Sequence, residues 1–442
     1  MSTLPSRAMG ASRGVWALLA TSSFVDGYNL IVAAPLILLL VHGGIALSPV
    51  EESLVILSAV MGNFLGGMLL GHFGDLYGRR RTFLWDLGFF VMLPLLSAGA
   101  VVVGAIVLFI VLRVVLGVGI GGNYPLASVL LAEKSGAATR GAVVARLGIF
   151  WTLGAVVSYV LSALLWPLGR LGLPLVVAAG VPAAVAVLIL RRRLPESQMW
   201  IAAVGTRRAE ERRQGASWAR LLSPGQAART AYALGFWFLF DVIQYGVSLL
   251  LPLLLVAFGG LTGETAVAVS SLLYLAEFGG TVGGAFLVDR TGRRPLQLAG
   301  FAAMAVGLAL AYLGHGLLLT DPLLLVLLLL MVTLGVGIGP GILEFVYPPE
   351  LFPTRTRATG SGLALSVSRL GAIVGIVLGG IYEHDPILFA IYASVGGLAF
   401  LLTLGAAPET RGRDLTDEIG PAPAPDRPPG SGKGPTSHPS PP

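Results

Sequence analysis

The sequence contains no cysteine, and only 12% of its 442 residues are charged. Without cysteine, a disulfide framework and a thiolate metal site are excluded, and the chain gives no redox clue to its compartment. A soluble domain of this length needs far more charge to cover its surface. Because 55% of the residues are hydrophobic, we expect a protein embedded in lipid.

Several functional signatures are also missing. No strand-like alternation suggests a β-barrel. We find no nucleotide-binding loop, metal cluster or nucleophile arrangement, and the five histidines are scattered. We therefore expect neither an enzyme nor a bound cofactor. The net charge is +6, but the basic residues stand between apolar stretches, so we expect the lipid bilayer rather than nucleic acid as the partner.

Apolar stretches near 20 residues recur along the chain, each long enough to cross about 30 Å of hydrocarbon as a helix. The first stretch is too long for the core of a signal peptide. The predicted spans are residues 15–40, 52–72, 82–102, 105–132, 142–165, 171–190, 230–257, 265–288, 296–316, 322–348, 358–380 and 386–406.

These spans predict five regions. A short N-terminus (1–14) precedes a six-helix bundle (15–190), and a basic linker (191–229) leads to a second six-helix bundle (230–406). The tail (407–442) is rich in proline, glycine and serine, so we expect it to be disordered.

Basic residues fall on alternate loops, and the opposite loops contain only Arg170. By the positive-inside rule, both termini are predicted to be cytoplasmic. We expect a monomeric, multi-pass protein of the plasma membrane.

The two halves repeat one another at nearly one offset. "GHFGDLYGRRR" (71–81) recurs as "GAFLVDRTGRR" (284–294), and "PES" (195–197) recurs as "PET" (408–410). The matched charged residues are Asp75 with Asp289, Glu133 with Glu350, and Arg140 with Arg357, at offsets of 214, 217 and 217. Two similar halves are therefore predicted, related by an axis along the membrane normal.

The repeated loop, "PESQMW" (195–200) and "PELFPTRTRATGSG" (349–362) resemble the major facilitator superfamily over residues 15–410. The resemblance implies an all-α membrane protein with 12 transmembrane helices in two six-helix, pseudo-symmetric bundles around a central cavity. It also implies a conformational gate, whereas the alternative is that these charges only set topology and cap helices. The gate residues would be Asp75, Gly78, Arg79, Arg80, Glu133, Arg140, Asp289, Gly292, Arg293, Arg294, Glu350 and Arg357.

Two aspartates lie deep inside spans, where an ionisable residue is costly. Asp26 and Asp241 lie about 16 Å into the first and seventh spans, at an offset of 215 that matches the repeat. Burial disfavours a charged carboxylate, so both are candidates for proton coupling. The alternative is a permanent pair with a cation, for example Arg113 or Arg369.

Trp237, Asp241 and Tyr245 stand four residues apart on one helix face, as a binding wall or as core packing. In the fourth span, "GVGIGGNYPLAS" adds Asn123 and Tyr124 at depth. The glycines of that segment allow close helix approach.

The segments "SFVDGYNLIV" (23–32), "GIGGNYPLAS" (119–128), "WFLFDVIQYG" (237–246) and "GRRPLQLAGF" (292–301) resemble the phosphate:proton symporter branch. By that resemblance, Asp26 and Asp241 would handle protons. The phosphate site would be lined by Tyr124, Trp237, Asp241 and Tyr245.

The chain departs from this branch at four positions. Asn123 replaces an Asp, Trp151 a Gln, Gly341 an Asn and Arg369 a Lys. Arg369 keeps the positive charge and has a planar guanidinium that suits phosphate or carboxylate. Trp151 would shrink the cavity or favour a ring-bearing substrate.

Glu277, Glu344 and Arg113 are further charges inside spans. Glu277 is a candidate second proton site or an ion-pair partner. We expect proton-coupled symport of a small anion, phosphate or a carboxylate. The alternatives are a transporter of sugars or other neutral solutes, and a non-transporting receptor on the same scaffold.

Overall fold

The computed structural model describes residues 13–45, 47–85, 89–191, 196–197, 199–201 and 218–415. The described residues form helices and connecting turns, without strands. Most of the predicted linker and tail, and nearly all of the N-terminus, lie outside them. The helices are α1 Arg13–Ile31, α2 Ala33–His42, α3 Pro49–Tyr77, α4 Arg79–Trp85, α5 Phe89–Val102, α6 Ile106–Glu133, α7 Arg140–Leu164, α8 Gly172–Ala178, α9 Val181–Arg191, α10 Trp218–Leu221, α11 Ala227–Ile243, α12 Leu251–Gly259, α13 Gly263–Thr291, α14 Arg293–Leu313, α15 His315–Leu318, α16 Pro322–Ile338, α17 Pro340–Leu351, α18 Arg357–Ile381 and α19 Ile387–Ala406, with a 3-10 turn at Trp166–Leu171 and a π-helical segment at Gln244–Ser248.

Twelve membrane segments follow from these helices. Among the described residues, nine helical stretches are long and apolar enough to cross a membrane. Two bent pairs, α1 with α2 and α11 with α12, add two spans, and the shorter apolar helix α5 adds the twelfth. The predicted all-α fold with 12 transmembrane helices in two halves around a central cavity is therefore confirmed.

Several spans that the sequence predicts as continuous are broken near a proline. The first span bends by 44° before Pro35, and the seventh bends by 58° before Pro252. A third break, at Gly339, precedes Pro340 in the tenth span. Proline lacks the N–H that bonds to the residue four positions earlier and crowds that residue's carbonyl, so the helix axis turns at these points.

Glycines allow the helices, and the halves, to approach closely. A Cβ at Gly117 or Gly121 of α6 would clash with the backbone of α3. A Cβ at Gly362 of α18 would clash with the Gly67 carbonyl of α3, which belongs to the other half. Small residues therefore set the backbone contact between the second and eleventh spans, as is typical of membrane helix pairs.

Candidate substrate site and its gates

A buried ion pair joins two helices of the second half. Arg369 on α18 donates from Nη1 to Oδ2 of Asp241 on α11 at 2.9 Å. The same nitrogen donates to the Tyr245 hydroxyl, and the guanidinium carbon lies 5.0 Å from that ring's centroid. Two charges that are almost fully buried require such pairing, because neither is solvated.

Aromatic rings connect this pair to the first half. Tyr124 on α6 stacks on Phe345 of α17 with centroids 4.2 Å apart, and its centroid lies 5.6 Å from that of Trp237 on α11. Because α6 belongs to one half and α11 and α17 to the other, these rings form a wall between the halves. The structure thus brings together Tyr124, Trp237, Asp241, Tyr245 and Arg369, all predicted as substrate-binding residues.

Glu344 is the site residue that sequence reasoning did not assign. Its Oε2 accepts a hydrogen bond from Trp237 Nε1 at 2.9 Å. It stands on α17, which begins at Pro340 after the break at Gly339. An ionisable residue inside a span was the available signal. Its place beside Trp237 depends on the break and on how α17 packs against α11 within the second half.

A second carboxyl group lies on α13. Glu277 Oε1 accepts from Gln244 Nε2 at 3.4 Å, and the Ser248 hydroxyl donates to Gln244 Oε1 at 3.3 Å. Gln244 and Ser248 bound the π-helical segment. Within the described part of the chain, no basic side chain lies within ion-pair distance of Glu277.

Asp26 has a different partner from Asp241. Its Oδ2 accepts from the Asn123 side-chain amide, and Ser22 donates to Asn123 Oδ1 at 2.9 Å, all within the first half. Trp151 is buried where its backbone packs against Gly27 of α1. Arg113 is buried beside Tyr28.

The loop motifs of both halves lie at one end of the molecule, which we call the motif face (residues 74–79, 133–142, 288–294 and 350–359). Asp75 pairs with Arg79 at 2.8 Å and accepts from the Thr359 amide and hydroxyl, both at 2.7 Å. Thr359 lies in the first turn of α18 in the other half. A carboxylate at a helix N-terminus satisfies free N–H groups and the helix dipole.

The second half repeats this contact. Asp289 pairs with Arg293 at 2.8 Å and accepts from the Ala142 amide at 2.7 Å, in the first turn of α7. Each loop carboxylate therefore caps a helix of the opposite half, which joins the halves at the motif face.

Two glutamates pair with arginines of the motif face. Glu133 lies 3.4 Å from Arg79 and 3.0 Å from Arg357 of the other half. Glu350 lies 2.7 Å from Arg293. Arg140, which the repeat matches with Arg357, instead donates to the Arg413 carbonyl at 2.8 Å, so the two halves differ here.

Positive φ angles at Gly78 (102°) and Gly292 (98°) turn the chain into α4 and α14. Glu196 of the "PES" segment accepts from the Arg80 amide, and Glu409 of "PET" accepts from the Arg293 and Arg294 amides, all at 3.2 Å. A Cβ on either glycine would clash with these carboxylates. The two repeated motifs are therefore parts of one capping arrangement.

The halves also meet on the side away from the motif face. Tyr159 on α7 donates to the Leu249 carbonyl at 3.0 Å and stacks on Tyr274 of α13 with centroids 4.7 Å apart. Because contacts between the halves lie on both sides of Arg369 and Asp241, the central site is enclosed.

Twelve membrane segments in two matched halves, with an enclosed charged and aromatic site between them, define a solute transporter. The family model described as Major Facilitator Superfamily matches residues 16–376, and the chain belongs to that superfamily.

Curated relatives include transporters with different substrates. The putative metabolite transport protein YaaU of Escherichia coli is 26% identical over 89% of this chain and 91% of its own length. The putative niacin/nicotinamide transporter NiaP of Bacillus subtilis is 29% identical over 81% and 86%. Inorganic phosphate transporter 1-11 of rice is 26% identical over 85% and 79%.

Among solved structures, the proton:xylose symporter XylE bound to 6-bromo-6-deoxy-D-glucose superposes with a TM-score of 0.76. It is 19% identical and covers 91% of this chain and 97% of its own, so it supports the fold alone.

Proposed function

We propose that this transporter carries a small anion together with a proton, by alternating access. The observation that carries the proposal is the Arg369–Asp241 pair, enclosed between the halves. The planar, positively charged guanidinium of Arg369 can donate two parallel hydrogen bonds, which suits a carboxylate or phosphate group.

The pair itself suggests how proton and anion are coupled. An anion that binds Arg369 competes with Asp241, and a displaced, charged Asp241 would be buried without a counter-ion. Protonation of Asp241 removes that cost, so anion and proton bind favourably together. Glu344 lies near the same site through Trp237, and its charge would add to the repulsion of an anion unless it is protonated.

The aromatic wall favours a ring-bearing carboxylate over phosphate. Tyr124, Trp237 and Phe345 supply flat apolar area, and a planar ring can lie against it. Phosphate remains the second candidate because phosphate transporters are among the relatives. Asn123, Trp151 and Gly341, however, replace polar residues expected for that branch.

A gradient-driven uptake assay tests the proposal. Purified protein in liposomes is given an inward proton gradient, and labelled nicotinate and phosphate are offered with benzoate and hexoses as competitors. We expect accumulation of the carboxylate, competition by benzoate and none by hexoses. Asp241→Asn should abolish gradient-driven accumulation. Unchanged accumulation in Asp241→Asn would refute the coupling, and uptake of hexose alone would refute the anion.

We further propose that the motif face is cytoplasmic and that the protein acts as a monomer in the plasma membrane. The basic loop residues, including Arg80, Arg290 and Arg294, support this orientation.

A further inference from the structure

Three polar side chains of the second half take no part in the Arg369–Asp241 ion pair. Glu277 and Tyr274 stand three residues apart on α13, so they share one helix face. Gln244 belongs to the π-helical segment of the seventh span and directly precedes Tyr245, whose hydroxyl contacts Arg369. We call Glu277, Tyr274 and Gln244 the α13 subsite.

The α13 subsite lies at or just beyond the depth of the anion anchor. Glu277 is about 21 Å along α13 from Thr291, and Arg369 is about 18 Å along α18 from Arg357, both measured from the motif face. Tyr274 lies about one turn farther from that face. The first half borders the subsite, since Tyr159 stacks on Tyr274 and Thr152 lies 3.4 Å from Thr281.

Two buried oxygen atoms of this subsite can form further hydrogen bonds. Oε2 of Glu277 and the Tyr274 hydroxyl are buried, and neither has a hydrogen-bond partner among the described residues. The Gln244 bond to Oε1 is long, at 3.4 Å. Buried polar groups are nearly always satisfied, so two adjacent exceptions beside a ligand site suggest that a ligand group completes them.

The chemistry of these atoms selects the ligand group. In either protonation state the buried Glu277 carboxyl keeps at least one accepting oxygen, and no basic side chain of the described residues pairs with it. An O–H or N–H donor of a ligand matches that oxygen. Glu277 Oε2 would accept its hydrogen, and the Tyr274 hydroxyl can donate to the same group's oxygen or nitrogen lone pair.

We propose that the α13 subsite binds a hydroxyl or N–H group of a substrate whose carboxylate is held by Arg369. This inference rests on the proposed function and narrows it to small ring carboxylates that carry such a donor. It assigns Glu277 to substrate contact, and Gln244 to positioning Glu277 from the π-helical segment.

Binding of matched probes to the full chain in lipid nanodiscs tests the inference. The probes are benzoate, 3-hydroxybenzoate and 4-hydroxybenzoate, which share the carboxylate and ring and differ in the donor. We expect at least one hydroxybenzoate to bind about three- to tenfold more tightly than benzoate, as one buried hydrogen bond allows. Glu277→Gln should remove most of this preference, measured as the ratio of hydroxybenzoate affinity to benzoate affinity.

Two variants keep the outcome interpretable. Tyr274→Phe should reduce the same preference, which provides a second test if Glu277→Gln does not fold. Arg369→Met should weaken all three probes equally. Equal binding of the three probes by the unaltered chain overturns the inference while the anion proposal stands. Binding of phosphate but of no carboxylate also overturns the inference. Binding of none of these anions refutes the proposed function as well.

Discussion

Removing the Asp75 carboxylate should open the motif face, and Asp289 provides a matched control. Asp75→Ala deletes two short hydrogen bonds to Thr359 of the opposite half, both 2.7 Å, a longer one from the Ala358 amide at 3.4 Å, and the Arg79 pair. Asp289→Ala deletes one such bond, to the Ala142 amide at 2.7 Å, along with the Arg293 pair.

The magnitude follows from these bonds. A hydrogen bond to a charged group contributes about 1.5–3 kcal/mol, so losing the two short bonds in Asp75→Ala should cost the closed motif face about 3–6 kcal/mol. This corresponds to a shift of roughly 100- to 10,000-fold in the ratio of open to closed molecules. Asp289→Ala should shift the ratio by roughly 10- to 100-fold, because it breaks one short bond between the halves instead of two.

The absence of cysteine makes the measurement direct. Spin labels can be attached at Tyr77→Cys and Arg290→Cys, which lie at the exposed ends of α3 and α13 in opposite halves. Double electron–electron resonance between the two labels then reports the distance across the motif face. We expect a longer distance component that is larger in Asp75→Ala than in Asp289→Ala. Equal effects, or no long component in Asp75→Ala, would show that these carboxylates do not hold the halves together.

Three further predictions concern the gates. Gly292→Ala should lower stability by about 1–3 kcal/mol or more in thermal unfolding, because its φ of 98° and the nearby Glu409 carboxylate leave no room for a Cβ, whereas Gly283→Ala, in open space, should be neutral. Truncation after Glu409 should raise the open population in the same distance measurement, because it removes the carbonyl partners of Arg140 and Arg357, while truncation after residue 415 should not. Tyr159→Phe should loosen the opposite side and raise labelling there by a membrane-impermeant reagent, and an unchanged labelling rate would contradict a closing role for this hydroxyl.

Most of the fold could be predicted from the nearly constant offset between the two sequence repeats. This offset predicted two halves and placed Asp75 and Asp289 as equivalents, because both carboxylates follow the same local pattern. It could not predict that Arg357 pairs with Glu133 while Arg140 contacts the Arg413 carbonyl. That difference arises from contacts between the halves and with the segment after the last helix, which the repeat does not specify.

The candidate site was predicted less completely, because its contacts join distant helices. Helical spacing predicted that Trp237, Asp241 and Tyr245 share one face. The pairing of Asp241 with Arg369 was one of two open alternatives, since spacing alone does not fix which helix faces another. The contact of Glu344 with Trp237 was missed, since it requires the helix break at Gly339.

The most direct test of the central claim is proton movement into liposomes during anion uptake. With a pH-sensitive dye inside and no imposed gradient, adding the transported carboxylate to the unaltered chain should acidify the lumen. Asp241→Asn should still exchange labelled for unlabelled anion but should move no protons. Anion uptake without acidification in the unaltered chain, or equal acidification in Asp241→Asn, would contradict coupling at the Arg369–Asp241 pair.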